Sequence, residues 1–177
     1  MQSRSLIFGV LLLLVSIAQL SCFSVSHRIW PQNDIQPNEL NESSLEKKVL
    51  IASRSSEFKD AIVAKIGKNF KDKPIYVKFI GLDQLKKEDG ADYAAVVMIN
   101  TCMSWNMDRH VKGFLKRHKD QSRMIVLTTS GGGHWSPKMK GRNFDAVSSA
   151  SEKKKVDEIA DNITAKIRSL VQGEGSG

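Results

Sequence analysis

Three groups of side chains in this 177-residue chain have the types and spacing to do chemistry. The run Ser53-Arg54-Ser55-Ser56-Glu57-Phe58 puts hydroxyls directly before a helical pattern, where they and the amides of a helix N-terminus can cradle an anion. Trp105 and Trp135 offer broad flat surfaces for stacking, and Gly131-Gly132-Gly133 lets a ligand approach the backbone closely. Cys102 and His134 can form a thiol–imidazole pair in which the imidazole activates a thiolate for acyl or thiol transfer. The other histidines, at positions 27, 110 and 118, share no zinc-ligand spacing with a cysteine, and no carboxylates pair for acid–base work. Helix capping by the serines, packing by the tryptophans and burial of the cysteine are the plain structural alternatives, and nothing here argues positively for an enzyme.

The elements that must position these residues follow from periodicity. Lys48 to Ser53, Ile75 to Ile80, Ala94 to Asn100 and Met124 to Ser130 are short, nearly continuous apolar runs, the pattern of strands buried on both faces. Phe144 to Ser148 predicts a shorter fifth strand. Between them Phe58, Ile62, Ile66 and Phe70 recur at helical spacing, as do Met107, Val111, Phe114 and His118, and then Val156, Ile159, Ile163, Ile167 and Leu170. Strands alternating with helices predict an α/β domain with a doubly wound parallel sheet. The chemistry-bearing residues fall in the loops after the first, third and fourth of these strands, where such sheets bind ligands.

The chain carries 27 basic and 19 acidic residues, a formal net charge of +8. Two of those bases and four of those acids precede Lys47, so the remainder carries +10. That charge reads first as a lysine-rich solvated surface, and beside that as an attraction for a small anionic ligand or anionic headgroups. Scattered bases and no recognition motif argue against nucleic acid, and no protein partner is identifiable. At the N-terminus Arg4 precedes an apolar run from Leu6 to Leu20, the layout of an export signal. Three fates stay open: cleavage after Ser16-Ile17-Ala18, lipidation at Cys22 in Gln19-Leu20-Ser21-Cys22, or retention as a membrane anchor. The expected organisation is residues 1–22 as signal or anchor, 23–46 as a polar spacer, 47–171 as the domain and 172–177 as a tail. The expected location is the bacterial periplasm or cell envelope, with the domain tethered to the membrane.

Over roughly residues 47–171 the element order and loop placement resemble the flavodoxin-like fold, a three-layer sandwich. Ser53 and Ser55 match hydroxyl positions of the flavodoxin phosphate loop, while Ser56 stands in place of its glycine and Phe58 in place of its last threonine. Flavodoxins flank the flavin ring with aromatic residues from the loops after the third and fourth strands, the places of Trp105 and Trp135 here. The resemblance implies FMN or another planar phosphorylated ligand. Ser53, Ser55 and Ser56 would hold the phosphate, with Trp105, Trp135 and the three glycines around the ring. Two other readings stand beside it: an envelope interaction module without flavin, and a thiol-dependent enzyme using Cys102 and His134.

Overall fold

In the computed structural model, which describes residues 32–137 and 139–173, each of the five runs read as strands forms one. The strands are β1 (Asn38–Leu40), β2 (Lys48–Ser53), β3 (Tyr76–Gly81), β4 (Ala95–Thr101), β5 (Met124–Thr129) and β6 (Asp145–Ser149). The helices are α1 (Glu57–Phe70), α2 (Arg109–Arg117) and α3 (Val156–Gln172), with short 3₁₀ segments at Leu82–Lys87, Gly90–Asp92 and Lys153–Lys155. The strands form a single sheet in the order β1-β3-β2-β4-β5-β6. All neighbours are parallel except β1, which pairs antiparallel with β3. With that edge strand set aside, the sequential strands lie in the order 2-1-3-4-5, which is the flavodoxin order. The domain has a flavodoxin-like fold.

The alternation of side chains across the pleat divides the apolar runs between two cores. Val49 and Ile51 of β2, Val97 and Ile99 of β4, and Leu127 of β5 face the layer built by α1 and α3, meeting Ile62, Ile66, Ile163 and Ile167. Leu50, Ala52, Val96, Met98 and Val126 face the opposite side, where Val111, Phe114 and Leu115 of α2 pack with Leu82 and Leu85. Central strands covered on both faces have no polar side to show, which is why their sequences read as unbroken apolar runs.

Caps fix the helix ends near the loops of interest. Ser56 accepts from Lys59 N at the start of α1, and Asp108 accepts from His110 N at 2.8 Å at the start of α2. Gly173, at φ 81°, closes α3 in the left-handed conformation that glycine adopts most readily.

The N-terminal boundary differs from the sequence expectation. The compact unit begins at Gln32, and residues 38–40, expected in the polar spacer, extend the sheet edge as β1. Three residues with no apolar alternation carry too weak a pattern to read as a strand; pairing to β3 defines them. Asn41, at φ 64°, then turns the chain and donates to Phe70 O and Ile75 O. The apolar run read as an export signal, Cys22 and the last four residues lie outside the described residues.

Candidate functional site

The loop after β2 was expected to hold an anion, but its hydroxyls have internal partners. Ser53 is fully buried and donates to Arg54 O at 2.7 Å. Ser55 Oγ donates to Asp60 at 2.9 Å, and Ser56 Oγ caps α1 while receiving the Lys59 ammonium at 3.4 Å. The backbone is occupied as well. Residues 33–35 lie across the loop, with Ser55 N donating to Asn33 O at 2.7 Å and Ile35 N to Ser53 O, while Arg54 N bonds Ile99 O.

An ion cluster locks this arrangement. Arg54 donates through Nη1 to Asp34 at 2.8 Å, and through Nε and Nη2 to Asp108 at 2.9 and 2.8 Å. The three side chains keep only 12%, 19% and 9% of their surface for Arg54, Asp34 and Asp108 respectively. Asp34 also accepts from the amides of Leu82 and Asp83. Burial raises the Asp34 carboxyl above its ordinary range, with the Arg54 charge and these amides pulling the other way. Lys59 is buried beside the cluster, and desolvation lowers its ammonium pKa. Gly81 makes room for the arm, since a Cβ there would lie 2.5 Å from Asp34 Cβ.

The loops after β4 and β5 build an open cleft of about 960 Å³. Buried Asn100 organises the first of them: its Nδ2 donates to Leu127 O and Thr128 Oγ1, and its Oδ1 receives Asp108 N. Between these anchors Met103 and Asn106 exchange backbone hydrogen bonds across a two-residue turn. Both turn residues, Ser104 at φ 49° and Trp105 at φ 61°, are left-handed, as a type I′ hairpin requires. Trp105 stands at the tip, 82% exposed.

The second loop begins with Ser130, whose N–H bonds Ser149 O. Its buried Oγ has no hydrogen-bond partner among the described residues. Trp135 packs against the α2-side core, and its carbonyl receives Ser148 Oγ at 2.6 Å. Gly131 and Gly132 line the cleft, and a Cβ on Gly131 would touch nothing. Gly133 serves packing instead: at φ 70° it closes on Ala150, whose N would lie 2.6 Å from an added Cβ.

The structure therefore brings Trp105, Trp135, Gly131, Gly132, Cys102 and His134 to one cleft, and keeps Ser53, Ser55 and Ser56 out of its lining. Ser55 borders a separate groove between residues 33–40 and α1. FMN fits this arrangement in part. The cleft has the size for a ring and two indoles in its lining, and the orphaned Ser130 hydroxyl is a group that a ring heteroatom could satisfy. The phosphate half does not fit the Ser53–Ser56 loop, because its hydroxyls are bonded internally and residues 33–35 cover it.

Cys102 and His134 line the same cleft but are not joined as a thiol–imidazole pair in this structure. No hydrogen bond joins the Cys102 sulfur to the His134 ring among the described residues, and burial pushes the thiol pKa up, against a weaker opposing bond from the Trp105 amide. A nucleophilic cysteine needs the opposite shift. Among the described residues no cluster of three or more histidine, cysteine or carboxylate side chains could hold a metal, and no helix is long and apolar enough to cross a membrane. Sequence reasoning missed Asp34, Arg54 and Gly81; an acid, a base and a glycine separated by tens of residues leave no local signal.

No protein-family model matches the sequence, and no curated protein matches it. Solved structures with a similar chain path include rubredoxin oxygen:oxidoreductase from Desulfovibrio gigas, at 13% identity and a TM-score of 0.48, over 74% of this chain and 37% of that one. An archaeal flavodoxin matches at 15% identity and a TM-score of 0.43, over 68% of this chain and 99% of its own. General stress protein 14 from Treponema denticola, solved in complex with FMN, matches at 12% identity and 0.42, over 70% and 99%. This chain spans little more than a third of the oxidoreductase. At such identities the fold assignment rests on this chain's own strand order.

Proposed function

We propose that this domain is a ligand-binding module that takes a planar ring of the flavin class into the cleft beside Trp105 and Trp135, without a phosphate anchor in the loop after β2. The observation that carries this reading is the coincidence of three features at the carboxyl ends of β4 and β5: a cleft of about 960 Å³, an indole from each bordering loop, and the bare backbone of Gly131-Gly132. A large apolar cleft with a few polar groups, at the carboxyl edge of a doubly wound sheet, is where ligands of this fold class sit. The ring would stack on indole faces and offer a hydrogen-bond partner to Ser130.

Because the first loop is filled, the ligand's phosphate would contribute little, and riboflavin and FMN should bind with similar affinity. Titration of each while following tryptophan emission and the visible flavin band tests this directly. Saturable binding of both within about threefold of one another supports the reading. No binding of either at high micromolar concentration removes it. FMN binding far more tightly than riboflavin would return the phosphate to a specific cradle and overturn the account of the first loop.

A further inference from the structure

We propose that the sheet edge carrying Trp105 docks on an anionic lipid surface, with the indole at the tip of the Met103–Asn106 hairpin entering the headgroup layer. Trp105 is the exposed large hydrophobic side chain of the described residues. The turn that presents it has two non-glycine residues at positive φ, 49° and 61°. An Asn-Gly pair makes the same turn without that strain. The hairpin thus holds an indole outward at a conformational cost, and the indole is the side chain most at home between headgroups and acyl chains.

The charge around it complements anionic headgroups. Residues 102–112, which run from the hairpin into the first turn of α2, carry two basic residues, Arg109 and Lys112, and a single acid, Asp108. That acid is buried and bonded to Arg54, so it offers no repulsion. Arg109 and Lys112 are both exposed, and Lys112 lines the same cleft as Trp105. Exposed bases beside a membrane each strengthen its attraction for anionic lipid.

The entry of the chain points the same way. Residues 33–35 lie against Ser53–Ser55, at the carboxyl end of the strands and so on the same edge as the hairpin. In sequence, eleven residues separate Gln32 from the end of the apolar run at Leu20. A run of that kind is suited to a bilayer.

Vesicle binding requires no ring ligand, so its outcome is independent of the flavin titration. Among the described residues the sheet and both cores lie from Gln32 onward, so residues 32–177 are expected to fold without the apolar run, and a cooperative urea transition of this fragment checks that before it is used. Vesicles of phosphatidylcholine with about 30% phosphatidylserine are mixed with this fragment at low salt. We expect co-sedimentation with a blue shift of indole emission, and binding at least about tenfold weaker on pure phosphatidylcholine or at about 0.5 M salt. Trp105→Ala is expected to weaken binding by about fivefold or more, and Arg109→Glu with Lys112→Glu by more still. Absence of co-sedimentation with the anionic vesicles, or equal binding by the wild type and Trp105→Ala, overturns the proposal.

Discussion

Replacing Arg54 with methionine removes the centre of the ion cluster while keeping a side chain of similar reach. In the wild type Arg54 makes three charged hydrogen bonds of 2.8–2.9 Å, to Asp34 and Asp108. The variant leaves both carboxylates largely buried without a cation. Deleting one partner of such a group costs about 3–5 kcal/mol, most of it from the uncompensated charges rather than the lost bonds. Partial exposure of Asp34 places the expected loss near the lower end, about 3 kcal/mol, still a large fraction of an ordinary domain's stability of roughly 5–15 kcal/mol. The sign of the pH dependence follows from Asp34, whose carboxyl is already raised by burial. A carboxyl raised in the fold binds its proton more tightly there than in the unfolded chain, so its contribution falls as pH climbs from 3.8 through the folded value. Without Arg54 that folded value rises further and the falling limb extends to higher pH. Urea unfolding at pH 7 and pH 4 should therefore show the gap between wild type and variant shrinking in acid. Adding Asp34→Asn and Asp108→Asn to the variant should recover part of the loss at pH 7, since asparagine still caps α2. A loss below about 1 kcal/mol, or a gap that ignores pH, would refute the assignment of a charged clamp.

Four further outcomes are expected. Gly131→Val should change stability by less than about 0.5 kcal/mol, because an added Cβ meets nothing, yet abolish flavin binding by filling the cleft; retained binding would dissociate the glycine from the ligand. Gly133→Ala should lower the urea midpoint by the equivalent of about 1–3 kcal/mol, since it combines φ 70° with a 2.6 Å approach to Ala150 N; an unchanged midpoint would contradict that packing. In a Cys22→Ser background, alkylation of Cys102 should be slower at pH 7 than that of a free thiol and still climbing at pH 9; a plateau below pH 7 would revive the thiol-enzyme reading. The chain's two tyrosines are both buried. Burial and the Glu39 carboxylate push Tyr76 up to about 12, and burial with Glu88 raises Tyr93 further. Tyrosinate absorbance should therefore stay flat through pH 10. Stability should fall from about pH 10 towards 12 as only the unfolded chain ionises; a transition centred at 10 in the folded protein would show the rings to be exposed.

The layers of this fold were legible because burial on both faces leaves a plain mark: Val49-Leu50-Ile51-Ala52 and Ala95-Val96-Val97-Met98-Ile99 have no polar alternation to misread. The cap at Ser56 was equally local. The first loop shows where local reading stops. Its serines announce hydroxyls at a helix N-terminus, but whether those hydroxyls are available depends on residues 33–35, which cross them from twenty positions upstream. Asn38–Leu40 is too short and too polar to signal a strand, so the stretch that carries the arm read as spacer. The cleft was half legible: Trp105 and Trp135 follow adjacent strands, which places both at one edge, but nothing in their types says that one is exposed at a hairpin tip and the other packed on the core.

The arm across β2 also determines how the domain bears mechanical load. Tension on the chain above Gln32 enters the sheet through Asp34, which is tied at once to Arg54 and to the amides of Leu82 and Asp83. Behind it, β1 runs antiparallel to β3 for three residues. A pull along the strand axis loads these bonds in shear, so they share the force and yield together. A pull across the sheet peels them in sequence, beginning with the clamp. The direction of a pull at this edge therefore decides which of these bonds yields first.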